Sequence, residues 1–356
     1  MAFLKKIWNW LCRLFHFNPP PAPPNPPGFI PQYIEYPNEI QIPVPGNADQ
    51  TMMYCFPLEG TYANLLNMCN QRLNFSPLSE RLRYYPLTTH MMMVMSFITR
   101  GYTTDPNYKK YGYVAETGVQ FFMPLAECTK NAQGQWVAQR MVCYIPYILI
   151  DNPFSLVCGR EQMGFAKSMA RFDFPDNPGV ADKFGVDAYG FTKFDKANPQ
   201  TAAFQPWLNI NKTTDKPQPA GASWKSHGEA WKAVKDTFER IPTDENFKLG
   251  LPFIIHELED LLHADIPMVF LKQYRAVDKS EVACFQGVVA ANSFLRKFIS
   301  GWWLSGEYEV TFQDFASYPI MSDLGLPQRT VVKNPFWIEG DLTFVNGTAQ
   351  WWAATS

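Results

Sequence analysis

Strand-like segments dominate the pattern of apolar and polar residues from position 41 onward. The clearest such segments lie at 51–56, 85–98, 119–125, 136–150, 268–274, 283–290, 308–312 and 343–345. Short helices are predicted at 61–71 and 162–170. The stretch 195–265 reads differently. It opens as a polar, proline-bearing loop and continues as two helical patterns, 226–240 and 252–264, the second with Ile254, Ile255, Leu258, Leu261 and Leu262 on one side. We take it as a helical insertion packed over a sheet. No repeat period of a solenoid or propeller is visible. The expected fold class is α+β, mostly antiparallel β with added helices.

The first residues form a separate unit. Phe3, Leu4, Ile7, Trp8, Leu11, Leu14 and Phe15 fall on one side of a helix spanning 1–17, with Lys5, Lys6, Asn9, Arg13 and His16 opposite. Lysines interrupt its apolar run too early for a secretory signal, and it is too short to cross a bilayer. Two readings fit: an interfacial anchor on an anionic membrane surface, and a helix that docks on the protein's own body or on a partner. Prolines crowd 18–31, which is expected to run as an extended linker, leaving 32–356 as the body.

Composition narrows the function classes. At 356 residues and 46% hydrophobic content the chain can bury a sizeable core. A net charge of −2 with mixed signs gives no electrostatic footprint for nucleic acid. The seven cysteines are odd in number, lack a Cys-x-x-Cys pair and sit mostly in apolar runs, as expected of buried thiols in a reducing, cytoplasmic setting. His256-Glu257 opens a zinc-helix pattern, but Asp260 stands where the second histidine belongs, so no metal is expected. The methionines Met91, Met92, Met93 and Met95 suit either an adaptable pocket or ordinary core packing.

Chemistry concentrates in Gly159-Arg160-Glu161-Gln162-Met163-Gly164-Phe165-Ala166-Lys167-Ser168. Apolar residues precede this run, so Lys167 is carried toward a core. Burial there disfavours the ammonium, and the free amine is a nucleophile toward carbonyl carbon. Gly159-Arg160-Glu161 followed by Gly164-Phe165-Ala166-Lys167 resembles the acetoacetate decarboxylase family, whose Schiff-base lysine falls on Lys167. Tyr113-Val114-Ala115-Glu116-Thr117-Gly118, followed by Met123-Pro124-Leu125, is similar to the family's segment carrying an active-site glutamate, which falls on Glu116. The similarity extends to 270–275 and 317–325.

The resemblance implies a closed, cone-like or barrel-like sheet around a pocket, a homo-oligomer, no cofactor, and a lyase acting on a small keto acid. Lys167 would form the imine and Glu116 would move protons. Arg160 and Glu161 would hold the lysine segment, with Phe165 and Ser168 lining or supporting the site. Two positions depart from the family: Ser168 replaces a second lysine credited with activating the first, and Met52 stands near where a substrate-orienting arginine falls. Decarboxylation of a β-keto acid, aldol or dehydration chemistry on a pyruvate-like acid, and apolar-ligand binding without chemistry all remain open.

Overall fold

The structure is a computed structural model and describes residues 33–34, 42–175, 177–234 and 265–354. Contacts separate Met1–Asn38, together with Ser356, from a body formed by Glu39–Thr355. The expected helix at 1–17, the linker at 18–31 and the helical pattern at 252–264 lie outside the described residues.

Fifteen strands make up the body: β1 (Gly46–Glu59), β2 (Leu82–Pro86), β3 (His90–Thr103), β4 (Val114–Lys130), β5 (Trp136–Tyr144), β6 (Ile148–Ile150), β7 (Lys167–Asp173), β8 (Lys183–Gly190), β9 (Ala203–Thr214), β10 (Asp265–Arg275), β11 (Ala283–Trp303), β12 (Glu307–Phe312), β13 (Arg329–Val332), β14 (Phe336–Phe344) and β15 (Thr348–Ala354). Helices α1 (Tyr62–Arg72), α2 (Pro153–Cys158), α3 (His227–Val234) and α4 (Ile320–Leu324) join them.

The strands run in the order β4-β3-β1-β14-β11-β10-β5, and β5 pairs again with β4, which closes a ring. From β4 the path also leads through β6 to β7, β8, β9, β12 and β13. Almost every pairing is antiparallel. The parallel ones are β5 with β10 and β6 with β7. β7 therefore joins the ring to the second group of strands, and Lys167 is its first residue.

Alternation decides what each strand buries. Tyr54, Phe56 and Leu58 of β1 and Met91, Met93 and Met95 of β3 all enter the main core, none more than 2% exposed. Edge-to-face rings tie the two groups of strands together: Tyr54 and Phe56 lie 5.0 and 5.4 Å from Phe184 of β8, and Phe56 lies 5.7 Å from Tyr308 of β12. The methionine run is thus core packing, with Met92 on the opposite face against the cluster around Trp224. Cys55, Cys69, Cys128, Cys143 and Cys158 are buried and outside disulfides. Burial pushes Cys143 up to about 12.

Four sequence-based expectations are corrected. The stretch 136–150 is two strands, interrupted where Pro146 cannot donate to the ladder, and 85–98 is divided between β2 and β3. Residues 203–214, assigned to the insertion, form β9, which pairs with both β8 and β12. The helix expected at 162–170 lies earlier: α2 starts at Pro153, and by Lys167 the chain is already a strand.

Candidate active site

The earlier start of that helix has a local cause. Asn152 caps α2 by accepting from the Ser155 backbone N–H at 3.1 Å, and Pro153 occupies the first turn, where it lacks only a donor that would be unused. The same cap docks the helix on β4. Asn152 donates to the Ala115 carbonyl at 2.9 Å, and the Asp151 carboxylate accepts from the Thr117 N–H at 2.8 Å. These two contacts flank Glu116.

Beyond Cys158 the helix widens into a π turn over Gly159–Met163 and stops at Gly164, whose φ of 75° is costly for other residues. A Cβ on Gly164 would stand 2.8 Å from the Cα of Lys272. The chain then turns into β7. A Cβ on Gly159 would meet Cδ and Cε of Lys167 at 3.0 and 3.1 Å, so this glycine makes the space through which the lysine side chain passes.

The lysine ends in a buried polar group of three. Its Nζ donates to Glu116 Oε2 at 3.1 Å and to Ser155 Oγ at 2.6 Å. The side chains of Lys167 and Glu116 are 9% and 8% exposed, so the pair is almost wholly removed from water. The Phe165 ring centroid lies 5.8 Å from Nζ, and Phe165 itself leans on Phe270 at 4.4 Å.

A cavity of about 110 Å³ opens beside this group, lined by Lys167, Glu116, Ser155 and Phe165 among others. One wall is the sheet face carrying Ile98 and Tyr102 of β3 and Asn47 of β1; the other is α2 and its π turn, with Cys158, Gln162 and Met163. Gln162 fastens a third side, 42–44, by accepting from the Val44 N–H at 2.9 Å and donating to its carbonyl at 3.0 Å. Cys158 Sγ donates to the Ile42 carbonyl at 3.1 Å.

The sequence-predicted residues divide. Lys167, Glu116 and Phe165 meet at the cavity. Arg160 is exposed and donates to the Lys167 carbonyl at 3.1 Å, which fixes the backbone of the lysine but keeps its charge outside. Glu161 accepts from Tyr274 through its backbone carbonyl; its carboxylate opposes the fall that burial imposes on Lys272. Ser168, one position along a strand from Lys167, alternates to the other face and does not line the cavity. Met52 packs against the core and does not line the cavity. Sequence reasoning missed Ser155, although Asn152-Pro153 followed by Ser155 is a helix-start signal that brings a hydroxyl beside the motif.

The sequence matches no protein-family model and no curated protein. Solved structures do share its architecture. Acetoacetate decarboxylase from Legionella pneumophila subsp. pneumophila str. Philadelphia 1 superposes with a TM-score of 0.52 at 11% identity, covering 90% of this chain and 91% of that one. This chain has an acetoacetate decarboxylase-like fold. A second acetoacetate decarboxylase structure gives 0.51 at 12% identity, covering 87% and 91%. The enduracididine biosynthesis enzyme MppR, complexed with the condensation product of pyruvate and imidazole 4-carboxaldehyde, gives 0.50 at 11% identity, covering 88% and 92%. Among the described residues no helix is long and apolar enough to cross a membrane, and no cluster of metal-ligating side chains is present.

Proposed function

We propose that the chain is a Schiff-base-forming lyase that decarboxylates a short β-keto acid. The observation that carries this reading is the buried Lys167–Glu116 pair, 3.1 Å apart and facing a cavity. Transfer of one proton along that hydrogen bond turns two opposed buried charges into a neutral amine and a carboxylic acid, the form of the pair that attacks a carbonyl.

The amine adds to the ketone carbon, and the ketone oxygen leaves as water with a proton supplied by Glu116. The resulting protonated imine is an electron sink. The bond to the carboxylate breaks, its electron pair moves into the imine to give an enamine, and carbon dioxide departs. The enamine carbon then takes up a proton, and water releases the ketone and the lysine. In this reading Glu116 serves the proton transfers, supported by its 3.1 Å contact with Nζ, and Ser155 holds Nζ through its 2.6 Å contact.

The polarity of the cavity favours decarboxylation among the reactions that share the imine. No arginine is among the described residues that line it, and its one ammonium is the nucleophile itself. A pyruvate-type substrate must keep its carboxylate to the end of the reaction and so needs a cationic holder. The carboxylate of a β-keto acid leaves, and poor solvation of that group raises the ground state relative to the uncharged products. Aldol chemistry is the second reading, supported by the pyruvate condensation product named for MppR.

Carbon dioxide release from a panel of short β-keto acids tests the proposal. Release is expected from the native chain and lost in Lys167→Arg, which keeps the charge but not the free amine. Release that survives this substitution would rule out Lys167 as the nucleophile.

A further inference from the structure

Beyond the lysine, the polar side chains of the cavity wall are bonded to the protein itself. The Tyr102 hydroxyl donates to Asp49 Oδ2 at 3.1 Å and accepts from Asn47 Nδ2 at 3.2 Å, while Asn47 Oδ1 accepts from the Thr343 hydroxyl at 2.8 Å. The Asp49 charge is met in turn by Arg296. On the facing wall the Gln162 amide is bonded at both its oxygen and its nitrogen to the Val44 peptide, and Cys158 Sγ donates to the Ile42 carbonyl. Aliphatic and aromatic carbon makes up much of what is left to meet a substrate.

The β3–β4 ladder carries the cavity away from the reactive pair. Ile98 stands opposite Glu116, and Gly101 opposite Val114, and all four line the cavity. The register shifts between these two pairs, which brings Ile98 and Gly101, three residues apart, to the same side. A Cβ on Gly101 would lie 3.7 Å from Cγ2 of Ile98 and 3.7 Å from Cγ2 of Val114, with the Val114 carbonyl oxygen at 3.4 Å. Those are ordinary contact distances, and Gly101 has no positive φ that would demand glycine. Its backbone therefore tolerates a side chain, in contrast to Gly164, and the missing one leaves a gap between two aliphatic side chains.

From this arrangement we infer that Gly101 is a specificity-determining residue, and that the gap between Ile98 and Val114 takes a straight alkyl tail attached to the ketone carbon of the substrate. The inference rests on the imine-forming reading and adds the substrate class to it: a β-keto acid whose end remote from the carboxylate is hydrocarbon. Each tail carbon seated against Ile98 and Val114 is removed from water, whereas a polar end would lose its hydration against carbon. A dry cavity of about 150 Å³ holds a benzene ring, so this one, at about 110 Å³, has room for a tail of about three carbons. A branched side chain at position 101 would fill that room.

Straight-chain methyl ketones test the gap on the full chain, because they are the products expected of such acids and form the imine without losing carbon dioxide. Acetone, methyl ethyl ketone and methyl propyl ketone are compared by calorimetric binding and by borohydride trapping at Lys167. Both measures are expected to rise about threefold with each added methylene. In Gly101→Val the order is expected to invert, with methyl propyl ketone weakened about tenfold or more and acetone least affected. Gly101→Ala, which adds a single methyl at ordinary contact distances, is expected to shift the ranking the same way by less, and it serves if valine disturbs the strand. Ranked binding without an adduct would keep the gap and remove the imine chemistry. Adducts with no ranking by length, or Gly101 variants that weaken all three ketones equally, would overturn the gap and keep the chemistry. Neither binding nor trapping of any of the three would overturn both.

Discussion

Ser155 Oγ lies 2.6 Å from Lys167 Nζ, although the two side chains come from different elements, α2 and β7. Because the Asn152 side chain ties the start of α2 to β4, the hydroxyl and the Glu116 carboxylate that meet the amine are positioned by one capping residue. Ser155→Ala is expected to slow imine formation about tenfold through loss of one hydrogen bond to a charged partner, with little change in the unfolding midpoint. Single-turnover trapping measures this, and an unchanged rate would mean that the hydroxyl does no positioning.

The Lys167–Glu116 pair is expected to behave as a coupled unit in stability. Lys167→Met leaves a carboxylate buried without its partner and should cost about 3 kcal/mol. Adding Glu116→Gln removes that charge and should recover most of the loss. Urea unfolding of the two single variants and the double variant gives the coupling directly. Additive effects would show that the two groups do not compensate each other's charge.

Two glycines of the same turn are expected to fail in opposite ways. Gly159→Ala brings a methyl to 3.0 Å from the lysine's own Cδ and should reduce trapping strongly at small cost in stability. Gly164→Ala meets the Lys272 backbone at φ 75° and should destabilise the fold by about 2 kcal/mol or more. Paired activity and unfolding measurements separate them, and loss of stability in both variants would contradict a specific role for Gly159 in seating the lysine.

Much of this site was legible in the sequence because the motif around Lys167 is local. Its glycines, the aromatic Phe165 and the lysine lie within one turn. Glu116 was legible for the same reason, within its own short segment. Strand alternation also carried Tyr54, Phe56 and the methionines of β3 to the core. What sequence alone missed depends on register between distant strands. Asn47, Tyr102 and Thr343 are neighbours only through the β3-β1-β14 ladder. β9 was obscured by Pro206, which argues against an inner strand; the fold accommodates it at an irregularity opposite Val186 and Asp187. The helix before Lys167 was misplaced because the π turn shifts the helical period and Gly164 then ends it.

The amphipathic pattern at 1–17 makes a prediction independent of the site. Vesicles containing anionic lipid should retain the full chain and release one that lacks these residues. Equal partition of the two forms would remove the anchor reading and leave docking on protein.

The central claim is that Lys167 forms an imine with the substrate. Incubation of the folded chain with acetoacetate, pyruvate and longer keto acids, followed by borohydride reduction and peptide mass spectrometry, tests it most directly. The account predicts a reduced adduct on the peptide containing Lys167, formed more readily with β-keto acids than with pyruvate. Folded protein that yields no adduct with any of these acids, or an adduct mapped to another lysine, would contradict it.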